Sequence, residues 1–433
     1  MNGIISAAPA FHPEIECLPR PELARRQELL LAAAVRRARH APFFRERLAA
    51  LEDVPERLVP ERFQECVPLT TKAELREARE SVWSAVARPH ISLLLSTSGT
   101  TGTRIPLPYT PEDVQTWHRL VARTLWTNGV RPQDVVLLPV PLGTFTGGQG
   151  MFGGLSHLGC TIIPLGPTAT PVLAEALRGS FGALPTAIIT LPSHLLRLLD
   201  TLPAAGVEPM RTTLRLGSLG AEAWSEAARA RIEAGLGIQA VDSYGIGELC
   251  GPGVAAECAA RDGLHVWEDA FFPEIVDPAT GEPVAEYAAG ELVLTSLFRH
   301  AFPLLRYRTG DAAAFIPGPC ACGRTHRRIT RILRRLDDTL IITGVNVEPV
   351  TIERILYRTA WVGTEYYLAV GGTNRDTLIV HVERRDTTVP STAEADLTAA
   401  IRCDLPVRTE VRLYAPGALE RSAGKAQRVR LGA

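Results

Sequence analysis

With 433 residues the chain is too long for one ordinary core, so two or more domains are expected, with ample volume for a buried interior. Hydrophobic residues make up 46% and charged residues 21%, and a formal net charge of -1 gives no electrostatic reason for a polyanionic partner, which argues against nucleic acid. Eight cysteines do not make a disulfide scaffold in so long a chain, no stretch approaches the ~18 uncharged apolar residues of a membrane span, and the start "MNGIISAAPAFHPEIECLPR" lacks a basic n-region, so a cytoplasmic protein with no membrane partner is expected.

Residues 21 to 51 carry apolar positions at helical spacing with arginines between them, which predicts an amphipathic helical region whose arginines form a solvated face. From about 91, short apolar runs ("ISLLLS", "DVVLLPV", "CTIIPL", "TAIITL", "LRLGSLG", "IQAVDSYG") alternate with helical segments. That alternation predicts an α/β domain whose ligand loops leave the carboxyl ends of strands. The first run, "LLLSTSGTTGTRIPLPYT" at 93 to 110, breaks into Ser, Thr and Gly and then recovers. A strand followed by Ser98, Gly99, Thr100, Thr101 and Gly102 offers hydroxyl and backbone N–H donors to one point, as a phosphate requires, and glycine permits close approach. A Walker loop would put lysine after Gly102, where Thr103 stands, so P-loop folds are excluded.

"PLGTFTGGQGMFGGLSHLG" (141 to 159) holds a literal G-x-G-x-x-G in Gly148, Gly150 and Gly153, which raises a nicotinamide dehydrogenase; the next strand, "CTIIPLG", ends without the acidic residue that reading needs. After about 265, "PEIVDPATGEPVAEYAAGELVLTS" predicts a β-hairpin region around Asp-Pro and Thr-Gly turns. Cys320-Ala-Cys322 is a tight knuckle, and together with Cys258 and His265 it would supply three thiolates and one imidazole, a closed tetrahedral zinc site; Cys250 and His326 are rival ligands. Cys17, Cys66, Cys160 and Cys403 are scattered and read as inert thiols, and His157 and His194 as structural histidines. Residues 338 to 433 read as an α+β unit of small-domain size. No G-x-S-x-G elbow supports a serine hydrolase.

The phosphate-loop stretch resembles that of the adenylate-forming superfamily of acyl-CoA synthetases, luciferases and nonribosomal adenylation domains, and other segments resemble its further motifs in the same order. "DSYGIGELCG" (242 to 251) resembles the Tyr-Gly-x-[Ser/Thr]-Glu motif, "RYRTGD" (306 to 311) the ribose-binding motif, "RRLDDTLIITGVNVEPVTIE" (334 to 353) the hinge, and "RSAGKAQR" (421 to 428) the terminal lysine motif. "GPGVAAEC", "GLHVWED", "PLLRYRTGD", "CACGRTHRRI" and "IITGVNVEP" resemble the branch of phenylacetate–CoA ligases and related aryl-acid ligases. The resemblance covers nearly the whole chain. It implies an α/β fold in which a large N-terminal adenylation domain (1–336), of α/β layers plus a β-rich subdomain, precedes a small mobile α+β C-terminal domain (337–433). It also implies an AMP-forming ligase of secondary metabolism that uses ATP, Mg²⁺ and CoA beside a structural Zn²⁺. An aromatic carboxylic acid is converted to an acyl-adenylate and then to a thioester of CoA or of a carrier protein in trans, and a homodimer is an open expectation.

A carboxylate is a poor acceptor for a thiol because its leaving group is oxide; attack on the α-phosphate of ATP replaces that with AMP. Both half-reactions need charge stabilisation around phosphate and carboxylate oxygens rather than a protein nucleophile. By the resemblance, Ser98, Gly99, Thr100, Thr101 and Gly102 hold phosphate, Gly220, Ala221 and Glu222 form the adenine-side loop, Tyr244 beside Gly245 stacks on adenine, and Asp311 accepts from the ribose hydroxyls. Glu248 would bind Mg²⁺, Arg335 would contact ribose, Asp337 would be the hinge, and Lys425 would supply the cation for adenylation. Phe145, Gly148, Met151 and Phe152, with Tyr244, are the acyl-pocket candidates. Two positions depart from the motifs: Gly247 stands where Ser or Thr is usual, and Arg334 where glycine is usual. They are the support for an alternative, a non-catalytic descendant that binds an adenylate or a partner.

Overall fold

The structure, a computed structural model, describes residues 9–51, 53–78, 84–97, 104–336, 339–372, 374–385, 388–421 and 425–430. The chain divides into two compact units, 1–167 with 241–331 and 168–240 with 332–433.

In the first unit the amphipathic stretch forms the helix Arg20–Ala38, whose Leu23, Gln27, Leu31, Ala34, Val35 and Ala38 recur every three or four residues and are buried. Its arginines are only partly a solvated face. Arg20 pairs with buried Glu268, and Arg37 donates to the carbonyls of Leu297 and Arg299, because buried acceptors away from water need donors. The helix Pro111–Asn128 opens on a reciprocal capping box between Thr110 and Asp113 and ends at Gly129, whose φ of 104° suits glycine.

That helix packs on the helix Thr146–Leu158 and on the strand Gly251–Glu257. Missing side chains allow the close approach: a Cβ at Gly150 would lie 2.3 Å from the Trp117 ring, at Gly153 2.1 Å from His118, and at Gly154 2.4 Å from Val121. The G-x-G-x-x-G run is therefore the contact face of one helix on another, with Gly148 already inside the helix rather than in a strand-to-helix turn. A dinucleotide fingerprint needs its first glycine in that turn, so the geometry argues against the dehydrogenase reading.

An antiparallel series runs Phe315–Ile316, Arg328–Ile329, Leu264–Val266, Gly251–Glu257 and Gln239–Ile246. A parallel pair, Val135–Leu137 with Thr161–Ile163, carries the α/β alternation. The predicted β-hairpin region is the antiparallel set Phe271–Val276, Gly290–Ser296 and Tyr307–Ala313, its turn fixed by Asp277 Oδ1 accepting from the N–H groups of Ala279 and Thr280. Leu93–Ser96 and Pro106–Tyr109 pair antiparallel on either side of the hydroxyl-rich loop.

In the second unit Ala187–Thr190 and Leu216–Gly220 are parallel neighbours. The helix Glu226–Leu236 packs on Pro192–Thr201 and on Pro349–Leu356. Ser225 caps it, and buried Glu353 accepts from both the N–H and the hydroxyl of Ser225 at 2.8 Å. The strands Val362–Gly371, Thr377–Arg384 and Arg408–Tyr414 form a mixed sheet with the helix Ala393–Asp404 between its last two members. Among the described residues no helix is long and apolar enough to cross a membrane.

Candidate active site

The strand Gln239–Ile246 turns back on Gly251–Glu257 with a register shift between Tyr244 and Gly245. The turn is too tight for a side chain at Gly245, where a Cβ would fall 2.0 Å from the Gly251 carbonyl oxygen. This pairing puts Glu248 at the tip of the turn, 3% exposed, with Lys72 Nζ 2.9 Å from its Oε1. The ion pair is not aligned as a hydrogen bond. Lys72 reaches the site because Thr70 exchanges backbone hydrogen bonds with Arg306 and Arg308 along the edge of the strand Tyr307–Ala313. Two further side chains fix the turn: fully buried Arg299 donates to the carbonyl of Leu249 at 2.6 Å, and Trp117 Nε1 to that of Pro252 at 3.0 Å.

Tyr244, in the strand Gln239–Ile246, and Asp311, in Tyr307–Ala313, meet although their strands belong to different sheets. The Tyr244 hydroxyl donates to Asp311 Oδ2 at 2.7 Å, and both residues are buried. Asp311 follows Gly310, whose φ is 74°, and its own N–H is held by Thr309 Oγ1, which also donates to the Leu292 carbonyl. A buried carboxylate oriented this way is suited to accept from vicinal hydroxyls. The pocket candidates Phe145, Gly148, Met151 and Phe152 share the first two turns of the helix Thr146–Leu158 and the residue before it. Gly148 has a chain-path reason of its own, since a Cβ there would lie 1.8 Å from the Pro141 carbonyl oxygen. Phe145 and Met151 are half-buried, and Phe152 is 40% exposed.

In the second unit Gly220 ends a strand and Ala221 takes a left-handed φ of 68°, a strained conformation for a residue with a Cβ. Glu222 accepts from the Ser193 N–H (3.1 Å), the Ser193 hydroxyl (2.9 Å) and the Ala426 N–H (2.7 Å). The adenine-side loop candidate is thus tied to the residue after exposed Lys425. Half-buried Arg335 lies in the strand Arg334–Arg335, and Arg334 pairs with Glu348 at 3.4 Å. The phosphate-loop candidates Ser98, Gly99, Thr100, Thr101 and Gly102, and the hinge residue Asp337, lie outside the described residues.

Two arginines shortly before the hinge segment turn inward in the first unit. Arg328 is buried against Asp262 and two backbone carbonyls, and Arg331 pairs with Asp242 at 2.8 Å.

Cys258, His265, Cys320 and Cys322 come together, each offering one ligand atom, all within 4.8 Å of one another. The strand pairing of Leu264–Val266 with Arg328–Ile329 carries His265 to the knuckle, which turns at Gly323 (φ 82°). Cys258 and Cys320 sulfurs are 3.6 Å apart, and Cys322 Sγ is 3.3 Å from His265 Nε2. A zinc–sulfur bond of ~2.3 Å with tetrahedral angles places sulfurs ~3.8 Å apart and sulfur from nitrogen ~3.5 Å, so the four side chains stand close to the edges of such a tetrahedron. His265 Nδ1 faces the His326 carbonyl at 3.3 Å, the outer contact that aims Nε2 at a metal. The hydrogen bond from Cys258 and the partner His265 hold the Cys322 thiol far below its usual range, and although burial opposes it, the neighbouring sulfurs raise His265 to about 9. The rival ligands are spent elsewhere: Cys250 is buried with its thiol pushed up to about 12 by burial, and His326 faces the carbonyls of Val266 and Ile15 at 3.2 Å.

Lys72, Arg299, Trp117 and Thr146 surround the Glu248 turn without having stood out in the sequence. Their partners lie far away in the chain, and no local spacing marks them.

Comparison with known proteins gives matches along most of the chain. The family model described as AMP-binding enzyme matches residues 29–297, and that described as AMP-binding enzyme C-terminal domain matches 344–430. A phenylacetate-coenzyme A ligase of Pseudomonas putida is 39% identical over 89% of this chain and 89% of its own length. One of Thermus thermophilus is 36% identical over 97% of this chain and 98% of its own. Among solved structures, 2-hydroxyisobutyryl-CoA ligase in the postadenylation state is similar with a TM-score of 0.89 at 25% identity, covering 97% of this chain and 92% of that one.

Proposed function

Because the chain belongs to the AMP-binding enzyme family, we propose that it activates an aromatic carboxylic acid with ATP and transfers the acyl group to the thiol of CoA, or of a carrier protein in trans. It is an AMP-forming acid–CoA ligase; the aromatic class of the acid and the choice of thiol are the finer part of the reading. The observation that carries it is the buried Tyr244–Asp311 contact at 2.7 Å in the same unit as buried Glu248. A phenol ring for adenine and a carboxylate for ribose are joined by one hydrogen bond, and a second carboxylate follows four residues after the tyrosine.

In this reading Asp311 accepts from ribose hydroxyls while the Tyr244 hydroxyl fixes its rotamer. Glu248 and phosphate oxygens would hold Mg²⁺, which neutralises phosphate charge when bound. Lys425 supplies a positive charge to the reacting carboxylate and α-phosphate during adenylation, and the domain 337–433 is the mobile part that carries it. Gly220, Ala221 and Glu222 line the adenine, and Arg335 contacts ribose. Phe145, Met151 and Phe152 border a flat acid. Cys258, His265, Cys320 and Cys322 hold a structural zinc whose four positions are all filled by protein, so it takes no part in the chemistry. The protein acts in the cytoplasm, and a homodimer is compatible with every role assigned here.

Acid-dependent exchange of labelled pyrophosphate into ATP tests the reading. Exchange with at least one benzoate- or phenylacetate-type acid, followed by thioester formation on adding CoA, is expected. No exchange with any aromatic or aliphatic acid would favour the non-catalytic descendant, and exchange confined to aliphatic acids would overturn the substrate class.

A further inference from the structure

We propose that the Thr146 hydroxyl replaces the motif hydroxyl that Gly247 lacks, donating a hydrogen bond to the phosphoryl oxygen of the acyl-adenylate. The inference rests on the ligase reading above and adds a catalytic residue to it.

Four observations carry the inference. A Cβ built at Gly247 would have one neighbour within 4 Å among the described residues, Thr146 Oγ1 at 3.6 Å. A side chain at 247 would therefore occupy space beside that hydroxyl. Thr146 is 8% exposed, and among the described residues its hydroxyl has no hydrogen-bond partner. The residue is buried but its Oγ1 is not among the enclosed unpartnered atoms, so the hydroxyl itself opens to the space beside it, as a ligand contact requires. Gly251, with φ 81°, leaves the hydroxyl its room: a Cβ there would stand 2.5 Å from Thr146 Oγ1. Finally, Thr146 is the first residue of a 13-residue helix, the end at which unpaired N–H groups and the helix dipole favour an anion, and the adjoining Gly147 opens onto free space. The hydroxyl thus has no partner among the described residues, faces the place where the motif's own hydroxyl would be, and sits where negative charge is favoured.

The swap is sterically reversible. Gly247 is not in a left-handed conformation, and its nearest neighbour would be at ordinary contact distance, so serine fits there. Thr146→Val, which keeps the shape, should lower the maximal rate of acid-dependent pyrophosphate exchange about a hundredfold, as loss of one transition-state donor does, with the KM for ATP changing less than about threefold. In the Thr146→Val background Gly247→Ser should restore at least roughly tenfold. That rescue is a response a purely structural threonine would not give. Should Thr146→Val not fold, Thr146→Ser and Thr146→Ala decide the matter: serine keeps the rate and alanine loses it. Equal rates for serine and alanine, a Thr146→Val rate near normal, or no rescue by Gly247→Ser would each overturn the assignment while leaving the ligase reading intact. Absence of exchange in the unmodified protein would instead overturn the ligase reading and this residue's role with it.

Discussion

Replacing Cys322 by serine tests whether the cysteine–histidine cluster is a metal staple. The metal would join Cys258 to Cys320 across 62 positions of sequence as well as to His265 and Cys322. Treating that link as closure of a 62-residue loop, the unfolded chain loses entropy equivalent to about 4 kcal/mol, and ligand bonds add to this. For a unit of this size each kcal/mol is worth roughly 2–4 °C, so an unfolding midpoint about 10 °C lower is expected for Cys322→Ser, or after exhaustive chelation of the unmodified protein. Elemental analysis of the purified protein should find about one zinc per chain, falling well below that in the variant. Differential scanning calorimetry reads the stability. Protein that carries no zinc when purified in its presence, and whose midpoint is indifferent to both chelator and Cys322→Ser, would show that the four side chains are a hydrogen-bonded core cluster and that the argument from their spacing is wrong.

The other predictions concern charge. Lys72 Nζ lies 2.9 Å from Glu248, but its side chain is 42% exposed, so water screens the pair and about 1–2 kcal/mol is the fitting scale. Lys72→Met should lower the half-saturating free Mg²⁺ in pyrophosphate exchange roughly 5- to 30-fold, and an unchanged requirement would count against competition between ammonium and metal. Lys425→Ala should abolish adenylate formation while sparing thioester formation from a supplied acyl-adenylate; equal loss of both half-reactions would remove lysine from the first. Burial, helped by Arg197, lowers His194 from 6.5 to about 4, so the unfolded chain takes up a proton that the fold refuses. Stability from this group is complete above about 6.5, falls as pH drops toward 4, and amounts to about 3 kcal/mol at most. In urea titrations His194→Gln should flatten the loss between those pH values, and parallel curves for both proteins would refute this.

What the sequence made legible was chemistry carried by contiguous residues, and what it hid was the set of long-range partners that aims that chemistry. Tyr244, Glu248 and Asp311 stood out because their motifs are short and ordered, and the four candidate zinc ligands because a knuckle and a Cys/His pair invite one another. The β-hairpin region was readable because Asp-Pro and Thr-Gly have few conformations. The arginines of residues 21 to 51 misled because helical spacing says which face is polar and not whether that face is wet: Arg37 turns inward to carbonyls more than two hundred positions away. The glycine run 147 to 154 was ambiguous for a related reason. A string of glycines looks the same whether it makes room for a phosphate, a ring or another helix, and only the positions of Trp117, His118 and Val121 decide among them. Gly247 completes the argument. As a motif it reads as a defect, one hydroxyl short of what phosphoryl chemistry wants; in three dimensions the gap opens on Thr146, about a hundred positions earlier, whose hydroxyl has no partner among the described residues. A function that depends on an atom at a place, rather than on a residue at a position, can pass from one part of the chain to another, and such a transfer becomes visible only when the fold is known.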